Sequence, residues 1–164
     1  MADRQVPNPH ETASPHYVIG LADYDDPVHA QAVVDLLDAY ARDPAGGGKG
    51  LEAQARQQLV PGLRQCPTAF SVLAFVQAVD GVPVGSVSGQ AVGLINAFEG
   101  FSTFAARPLV NVHDVVVHAD HRGLGIAARM MDAVVQEARR RGACKLTLEV
   151  LSSNRPAMAL YERM

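Results

Sequence analysis

A turn with two closely spaced glycines is the part of this 164-residue sequence best suited to chemistry. It begins at Arg122 and contains Gly123 and Gly125. The β-type run 112–117 precedes it, and a segment with helical periodicity, 127–141, follows. Backbone N–H groups at a helix N-terminus point outward, and the helix dipole favours an anion there. Glycine lets the backbone approach a bulky anion because no Cβ intervenes. The turn therefore predicts a phosphate or pyrophosphate site with Arg122 at its mouth.

The turn does not fit two common kinds of phosphate-binding loop. A P-loop ends in Gly-Lys-Ser/Thr, and this sequence contains no such ending. A dinucleotide-binding turn has three spaced glycines in an early βαβ unit, whereas this turn lies late in the chain and lacks the third glycine. Its own pattern is Arg-x-x-Gly-x-Ala, formed by Arg122, Gly125 and Ala127. A tight strand-to-helix turn without any ligand is the alternative that stays open at this point.

The pattern and the segments after it resemble the GNAT acetyltransferase superfamily. The coenzyme A loop of that family reads Gln/Arg-x-x-Gly-x-Gly/Ala. Further along this chain come an alternating strand, 144–151, then Asn154, then a short helix carrying Tyr161. The family shows the same pieces in the same order. The resemblance covers residues 70–164 and is strongest between 109 and 161, so it concerns more than one motif.

The resemblance implies the acyl-CoA N-acyltransferase fold, an α+β arrangement in which helices flank a central mixed sheet. The residue patterns agree with it, because they give the order β, α, α, β, β, β, α, β, α. We expect a flexible N-terminal tail, 1–15, and one domain, 16–164. The sequence stops at Met164, where the family usually continues with two more strands, so the strand at 144–151 is expected to have an exposed edge. A missing tail, a partner chain over that edge and a reduced variant all fit this ending.

Local signals set the expected boundaries of the earlier elements. A helix is expected to start at the acidic cap before Pro27. A second helix, 51–63, is expected to stop near Pro61, because proline cannot continue the hydrogen-bond pattern. The strands and turns expected around and after these helices are a strand at 17–21, a strand at 69–78, a hairpin turn at 80–83, a strand at 84–98, a loop at 100–108 and a strand at 109–117.

Composition indicates a globular protein with no special surface charge. The net charge is −3, so no basic excess favours nucleic acid or a membrane surface as a partner. The N-terminus has no apolar signal-peptide core, and no apolar run is long enough to span a membrane, so a cytoplasmic location is expected. The two cysteines match no metal or redox spacing. The basic run 139–141 is interpreted as a solvated helix end that offsets the helix dipole. We expect a homodimer.

The resemblance implies that acetyl-CoA is the co-substrate and that no metal takes part. Main-chain groups around Val115 and Val117 would pair with the pantetheine arm as an added strand does, and Asn154 would hydrogen-bond the same arm. The residues expected at the pyrophosphate and its surroundings are Arg122, Gly123, Leu124, Gly125, Ile126, Ala127 and Ala128.

Acetyl transfer to an amine, which the resemblance implies, needs a base for the amine and a proton for the leaving thiolate. Tyr161 stands where many family members have the tyrosine that protonates the thiolate. A phenol has an ordinary pKa of about 10, so it keeps its proton at neutral pH. His113 is the predicted base, because an imidazole with an ordinary pKa of about 6.5 can accept a proton at neutral pH. A water-mediated path to Asp114 or Glu99 is the alternative.

The expected acceptor is a primary amine of a small molecule. The segment around His113 and Asp114 resembles that of the spermidine/spermine-type diamine acetyltransferases, which carry an acidic pair there. Asp114 and Glu99 are the predicted substrate contacts, since a carboxylate can pair with an ammonium group. Simple strand alternation places His113 on one face with Val115 and Val117, and Asp114 on the other.

Two other functions are alternatives to this prediction, and one other kind of site is not expected. A non-catalytic acyl-CoA-binding module and an enzyme that acetylates protein lysines or N-termini are both compatible with the cofactor loop. A metal site at His113, His118 and His121 is not expected, because alternation places His118 on the face opposite His113 and His121 falls in the turn.

Overall fold

The structure is a computed structural model that describes residues 15–77 and 89–163. The strands are β1 (His16–Leu21), β2 (Ala69–Gln77), β3 (Gln90–Ser102), β4 (Arg107–Val117) and β5 (Leu146–Leu148). The helices are α1 (Pro27–Arg42), α2 (Ala53–Gln65), α3 (Ile126–Arg140) and α4 (Arg155–Tyr161), with single 3-10 turns at Pro44–Gly46 and Ala119–His121. The predicted tail, except for its last residue, the hairpin turn at 80–83 and the first part of the strand at 84–98 lie outside the described residues.

The five strands form one mixed sheet in the order β1-β2-β3-β4-β5. Neighbouring strands from β1 to β4 are antiparallel, and β5 is parallel to β4. The predicted α+β class, the mixed sheet and the order of elements are therefore confirmed. The strand predicted at 144–151 is shorter than expected, because only three residues of β5 pair with β4.

Helices cover both faces of the sheet and divide the core into two clusters. We call the first the α3 face, because α3 packs there, and the second the α1 face, because α1 and α2 pack there. The α3 face includes Val72, Ile95, Val110, Val112, Ile126, Met130 and Val134. The α1 face includes Val33, Leu36, Val60, Leu63, Leu73, Leu94 and Val116. Each candidate functional side chain can therefore be described by the face of the sheet on which it lies, the α3 face or the α1 face.

The ends of the first two helices differ in how well the sequence signals them. Asp26 caps α1 as predicted, and its carboxylate accepts from the Val28 N–H at 2.7 Å. The expected end of α2 near Pro61 is wrong, since the helix continues to Gln65. Val60 and Leu63 are both buried on the α1 face, and this packing holds the last turn although Pro61 has no N–H to contribute.

A tight hairpin joins β3 and β4 where a longer loop, 100–108, was expected. The ladder continues to the pair Ser102 and Arg107, which leaves only four residues in the turn. Pro108 does not break the strand. Its carbonyl accepts from the Cys144 N–H at 2.8 Å, so its main-chain groups are directed towards β5, and its missing N–H takes no hydrogen bond from the ladder between β3 and β4.

A β-bulge interrupts β4 at His113. Asn96 of β3 lies opposite Asp114, whereas the next residue, Ala97, lies opposite Val112. His113 is therefore an extra residue with no partner in the ladder of β3. The strand is re-aimed at this point, just before the segment that leads into the glycine turn.

The bulge overturns the predicted assignment of faces. Val115 and Val117 pack on the α3 face. The ring of His113 contacts Phe98, which packs on the α1 face, with 4.7 Å between the ring centroids. Asp114 lies on that face as well, opposite Asn96. His113 thus shares a face with Asp114 and not with the two valines, because the simple alternation of side chains fails where a bulge adds a residue.

The helices in the described part of the chain have at most 16 residues each. None of them is long and apolar enough to cross a bilayer.

Candidate functional site

The edge of β4 that faces β5 opens just after the bulge. β5 pairs with β4 only at Val110–Val112, so among the described residues no strand covers 113–117 on that side. The Val110 N–H donates to the Lys145 carbonyl at 3.1 Å, which shows that Val110 directs its main-chain groups towards β5. Residues on one face of a strand direct their N–H and C=O groups to the same edge. Val115 and Val117 share the face of Val110, so their main-chain groups lie along the open edge.

The helix that starts beside this edge presents uncapped N–H groups. Gly123 and Gly125 have φ angles of 76° and 75°, in the left-handed region that side chains with a Cβ disfavour. Gly125 is the N-cap residue of α3, and within the described residues no side chain caps that helix. A Cβ at either glycine would meet no atom within 4 Å. The two glycines therefore serve the backbone conformation, and the first N–H groups of α3 face an exposed space that suits an anion.

Arg122 joins the glycine turn to two other elements. Its Nε donates to the carbonyl of Val117 at 3.0 Å, and its Nη2 lies 3.2 Å from the carboxylate of Asp43 at the end of α1. The side chain is 58% exposed. The guanidinium is thus held at the mouth of the turn while most of its surface faces solvent, which fits a group that meets a phosphate.

The last helix brings Tyr161 to the same core cluster as Val115 and Val117. Asn154 caps α4, and its Oδ1 accepts from the Ala157 N–H at 3.2 Å, so only its amide Nδ2 is suited to donate to a ligand. Burial raises the pKa of the Tyr161 phenol, and the nearby phenol of Tyr40 raises that pKa further. Tyr161 therefore keeps its proton at neutral and moderately alkaline pH, as a proton donor must.

His113 and Asp114 lie side by side on the α1 face. The imidazole of His113 is exposed apart from its contact with Phe98. Asp114 is half-buried, and its Oδ2 accepts from the Nδ2 of Asn96 at 3.0 Å. The structure thus brings together an exposed group that can accept a proton and a held carboxylate that can attract a cation.

Sequence reasoning missed two polar residues behind Asp114. Ser71 of β2 is 1% exposed and donates to Oδ1 of Asn96 at 2.6 Å. The hydroxyl of Tyr24, in the segment between β1 and α1, lies 2.8 Å from the hydroxyl of Ser71. Burial raises the pKa of Tyr24. For Ser71 the available signal was a single polar residue inside an apolar strand segment, as at Asn96 in the next strand, whereas Tyr24 carries no such signal.

Glu99 does not join this group. Its carboxylate lies 3.3 Å from Arg141, a residue just beyond the C-terminal end of α3. Arg141 also pairs with Glu137 at 2.7 Å and covers the ring of Phe70, with a side chain only 15% exposed. The interpretation of 139–141 as a solvated helix end is therefore wrong for Arg141. In the structure the partner of the Glu99 carboxylate is a guanidinium, and the role of Glu99 as a partner for a substrate ammonium group stays a prediction.

Buried Glu137 completes that ionic cluster. Hydrogen bonds from Arg140, and then from Arg141, hold the pKa of Glu137 at about 2, although burial acts to raise it. The carboxylate of Glu137 is 2.6 Å from Arg140, and its side chain is 5% exposed. This cluster anchors the C-terminal end of α3, at the other end of the helix from the glycine turn.

The histidines near the turn make contacts of their own. His121 accepts from or donates to the hydroxyl of Tyr17 at 3.0 Å, and His118 lies 3.7 Å from Asp120. Across the described ranges, 15–77 and 89–163, no three His, Cys, Asp or Glu side chains are grouped closely enough to hold a metal ion. The contact with Tyr17 links the segment before the turn to β1.

Sequence comparison relates the chain to acetyltransferases. A profile of the Acetyltransferase (GNAT) family matches residues 31–164. The chain is 38% identical over 72 residues to streptothricin acetyltransferase of Streptomyces lavendulae, across 44% of this chain and 38% of that protein. It is 29% identical over 86 residues to an uncharacterized N-acetyltransferase of Methanocaldococcus jannaschii, across 52% of this chain and 38% of that protein. The chain thus aligns with less than half the length of each of these relatives.

Solved structures share the fold at low sequence identity. A ribosomal-protein-alanine N-acetyltransferase from Brucella melitensis biovar Abortus 2308 has a TM-score of 0.64 and 24% identity, covering 90% of both chains. An aminoglycoside N-acetyltransferase in complex with coenzyme A has a TM-score of 0.67 and 14% identity, covering 97% of this chain and 90% of the other. The family match over most of the sequence, together with this fold, shows that the chain belongs to the GNAT acetyltransferase family.

Proposed function

We propose that this protein transfers the acetyl group of acetyl-CoA to a primary amine of a small molecule, in one ternary complex. The observation that carries the proposal is the open edge of β4 at 113–117, which lies beside the uncapped start of α3. A pantetheine arm can pair with the open edge of β4, and a pyrophosphate can bind at the start of α3. GNAT acetyltransferases use acetyl-CoA, a molecule that contains both a pantetheine arm and a pyrophosphate.

The cofactor contacts in this proposal come from three elements. Main-chain groups of Val115 and Val117 pair with the pantetheine arm, and the Nδ2 group of Asn154 donates to it. The guanidinium of Arg122 and the backbone N–H groups of the turn and the first turn of α3 bind the pyrophosphate. The residues that supply this pyrophosphate site are Arg122, Gly123, Leu124, Gly125, Ile126, Ala127 and Ala128.

The proposed chemistry uses one base and one acid. His113 accepts a proton from the acceptor ammonium group, and the neutral amine then attacks the thioester carbonyl carbon. The new C–N bond forms as the C–S bond breaks, Tyr161 gives its hydroxyl proton to the leaving sulfur, and the nitrogen releases its surplus proton to solvent to become the neutral amide. The raised pKa of Tyr161, caused by burial, fits this role. Proton exchange with solvent returns His113 and Tyr161 to their starting states, so the products are the acetylated amine and the free thiol of coenzyme A.

The acceptor in this proposal is a cation before it reacts. Asp114 attracts its ammonium group, since the carboxylate is half-buried and lies next to His113 along the strand. The similar proteins named for streptothricin and aminoglycosides, and the resemblance to diamine acetyltransferases, all concern small molecules that carry several amines. We therefore propose a small polyamine as the acceptor class. A homodimer in the cytoplasm stays a prediction that size-exclusion chromatography with light scattering and cell fractionation would test.

Release of coenzyme A thiol tests this function. The full chain is incubated with acetyl-CoA and, in turn, spermidine, kanamycin, streptothricin and a peptide with a free N-terminus and a lysine. Thiol release with a small amine supports the proposal, and release only with the peptide would favour a protein acetyltransferase. Thermal stabilisation by acetyl-CoA without release would indicate a non-catalytic binding module, because a ligand of the native state raises its stability. The absence of stabilisation at millimolar acetyl-CoA would contradict the cofactor site itself.

A further inference from the structure

A row of polar side chains crosses the α1 face of the sheet and ends at Asp114. Ser71 of β2 is the register partner of Asn96 of β3, and Asn96 is the register partner of Asp114 of β4. Side chains of directly opposite residues on adjacent strands lie close enough to bond. Tyr24 extends the row by one hydroxyl beyond Ser71. The row therefore links four separate elements of the fold through three hydrogen bonds.

Every donor in the row points towards Asp114. The hydroxyl of Ser71 has one hydrogen, which it donates to Oδ1 of Asn96, so the bond between Tyr24 and Ser71 must be donated by Tyr24. The amide of Asn96 then donates its Nδ2 to Oδ2 of Asp114. A reversed amide would turn its oxygen towards the carboxylate, and two acceptors would face each other. Because the carboxylate of Asp114 accepts, it sets the donor-to-acceptor direction of all three hydrogen bonds in the row.

The polar row is buried, which is unusual for polar side chains that serve only the stability of the core. Ser71 and Asn96 are 1% and 3% exposed, and their neighbours on the α1 face include Leu73 and Leu94. Apolar side chains of similar size in these positions would fill the same space without the desolvation of polar groups. Burial also raises the pKa of Tyr24, so its phenol keeps the proton that it donates. A role in core stability alone does not account for a directed polar row in an apolar layer.

The bulge at His113 gives the row its end group. In an unbroken ladder His113 would lie opposite Asn96, because Val112 lies opposite Ala97. The extra residue moves Asp114 into that position and leaves His113 exposed beside it. The row and the bulge therefore act together on one carboxylate at the candidate active site.

We propose that Tyr24, Ser71 and Asn96 are positioning residues that hold the Asp114 carboxylate in one orientation, with Oδ1 towards the ammonium group of the acceptor. This inference rests on the proposed function, since it concerns the acceptor of the same reaction. Oδ2 is engaged by Asn96, so the acceptor contact falls to Oδ1. None of the three positioning residues touches the acceptor, and their effect passes through Asp114.

The test separates acceptor binding from cofactor binding. Ser71→Ala removes the central hydroxyl, and Ser71→Thr keeps it. With the best small amine from the thiol-release panel, we expect Ser71→Ala to raise the KM of the amine about tenfold, the upper end of the range for one lost hydrogen bond. We expect Ser71→Thr to restore most of that loss and both variants to bind acetyl-CoA as the wild type does. Ser102→Ala is the matched control, because it removes another buried hydroxyl, at the far end of β3.

Each result decides between distinct alternatives. An unchanged amine KM in Ser71→Ala, or an equal loss in the Ser102→Ala control, would overturn the positioning role. Wild-type protein that turns over no amine would instead overturn the proposed function, and this inference with it. If Ser71→Ala does not fold, Tyr24→Phe removes one half-buried hydroxyl at the other end of the row. That variant is expected to raise the amine KM by a smaller factor, and an unchanged KM there would also overturn the inference.

Discussion

The side chain of Asn96 reaches Asp114, at 3.0 Å, because the extra residue His113 shifts the register between β3 and β4 by one position. Without that shift Asp114 would face the opposite side of the sheet. The same local feature sets both halves of the proposed active site. It turns the main-chain groups of Val115 and Val117 to the open edge and places His113 and Asp114 together on the α1 face.

The conformation of Gly125 predicts separable effects on stability and on cofactor binding. Gly125→Ala forces a Cβ into the left-handed region, at a cost of about 1–2 kcal/mol of unfolding free energy. We expect the same substitution to weaken acetyl-CoA binding, because it disturbs the start of α3. Gly142→Ala is the matched control, since Gly142 has a φ of 72° and an equally open Cβ position at the other end of α3.

Urea denaturation and isothermal titration with acetyl-CoA would measure these two effects. We expect both variants to lose similar stability and only Gly125→Ala to lose affinity. Equal affinity in the two variants would argue against an anion site at the start of α3.

Arg122 is expected to contribute charge to cofactor binding. Arg122→Ala should raise the Kd of acetyl-CoA about tenfold, the size of one lost charge-assisted hydrogen bond. The difference from wild type should shrink at high salt, because ions screen an exposed charge. Arg139→Ala makes the same charge change on the exposed far end of α3 and should leave the Kd unchanged. Titration calorimetry at two salt concentrations measures all three proteins, and an equal loss for Arg139 would indicate a general charge effect.

Tyr161 is expected to act in the chemical step and not in binding. Tyr161→Phe should lower kcat about 100-fold, within the range for the loss of a general acid, with the Kd of acetyl-CoA nearly unchanged. Since burial raises the pKa of Tyr161, the wild-type rate should not fall at moderately alkaline pH through loss of this proton. Tyr40→Phe removes the neighbouring phenol and should keep kcat near the wild-type value. Steady-state assays would decide, and unchanged turnover in Tyr161→Phe would remove this residue from the mechanism.

Glu137 should give the fold an acid-sensitive anchor. Its pKa is held at about 2 in the folded protein, below the ordinary value of 4.5. A depressed pKa contributes stability above the ordinary value, and that contribution is lost as pH falls from about 4.5 towards 2. Glu137→Gln removes the carboxylate that Arg140 and Arg141 share, while Arg141 keeps Glu99 as a partner, so we expect it to lose about 2 kcal/mol of unfolding free energy at pH 7, the size of hydrogen bonds to a charged group.

Urea denaturation at pH 7 and at pH 3 tests whether the stability that Glu137 contributes decreases as the pH falls. The gap between wild type and Glu137→Gln should be smaller at pH 3, because the wild type has then lost part of the same contribution. Glu52→Gln changes an exposed carboxylate in a loose surface pair and should have little effect at either pH. A gap that widens at low pH would contradict the assignment of Glu137 as the depressed carboxylate.

The order of elements could be predicted because each has a local signal. The cap at Asp26, the apolar stripe of α3 and the glycines at its start are all encoded in neighbouring residues. The end of α2 could not be predicted in this way. Packing of Val60 and Leu63 against the sheet outweighs the local cost of Pro61, and packing depends on residues that are distant in sequence.

The residues of the candidate site also differ in whether neighbouring residues in the sequence predict their positions. The glycine turn and Tyr161 follow from motifs, whereas the position of His113 depends on a bulge that only the pairing of β3 with β4 defines. The partners of Glu99 and Arg141 are likewise 42 residues apart in sequence. The link between Ser71 and Asp114 requires two strand registers, so a sequence pattern alone does not reveal it.

Detection of the acetylated product is the most direct measurement of the proposed function. Wild-type protein is incubated with acetyl-CoA and a small polyamine, and mass spectrometry follows the amine while a thiol reagent follows coenzyme A. We predict one acetylated amine for each thiol released, and a rate that falls in Tyr161→Phe. Protein that is stabilised by acetyl-CoA but yields no acetylated amine with any member of the panel would contradict the proposal.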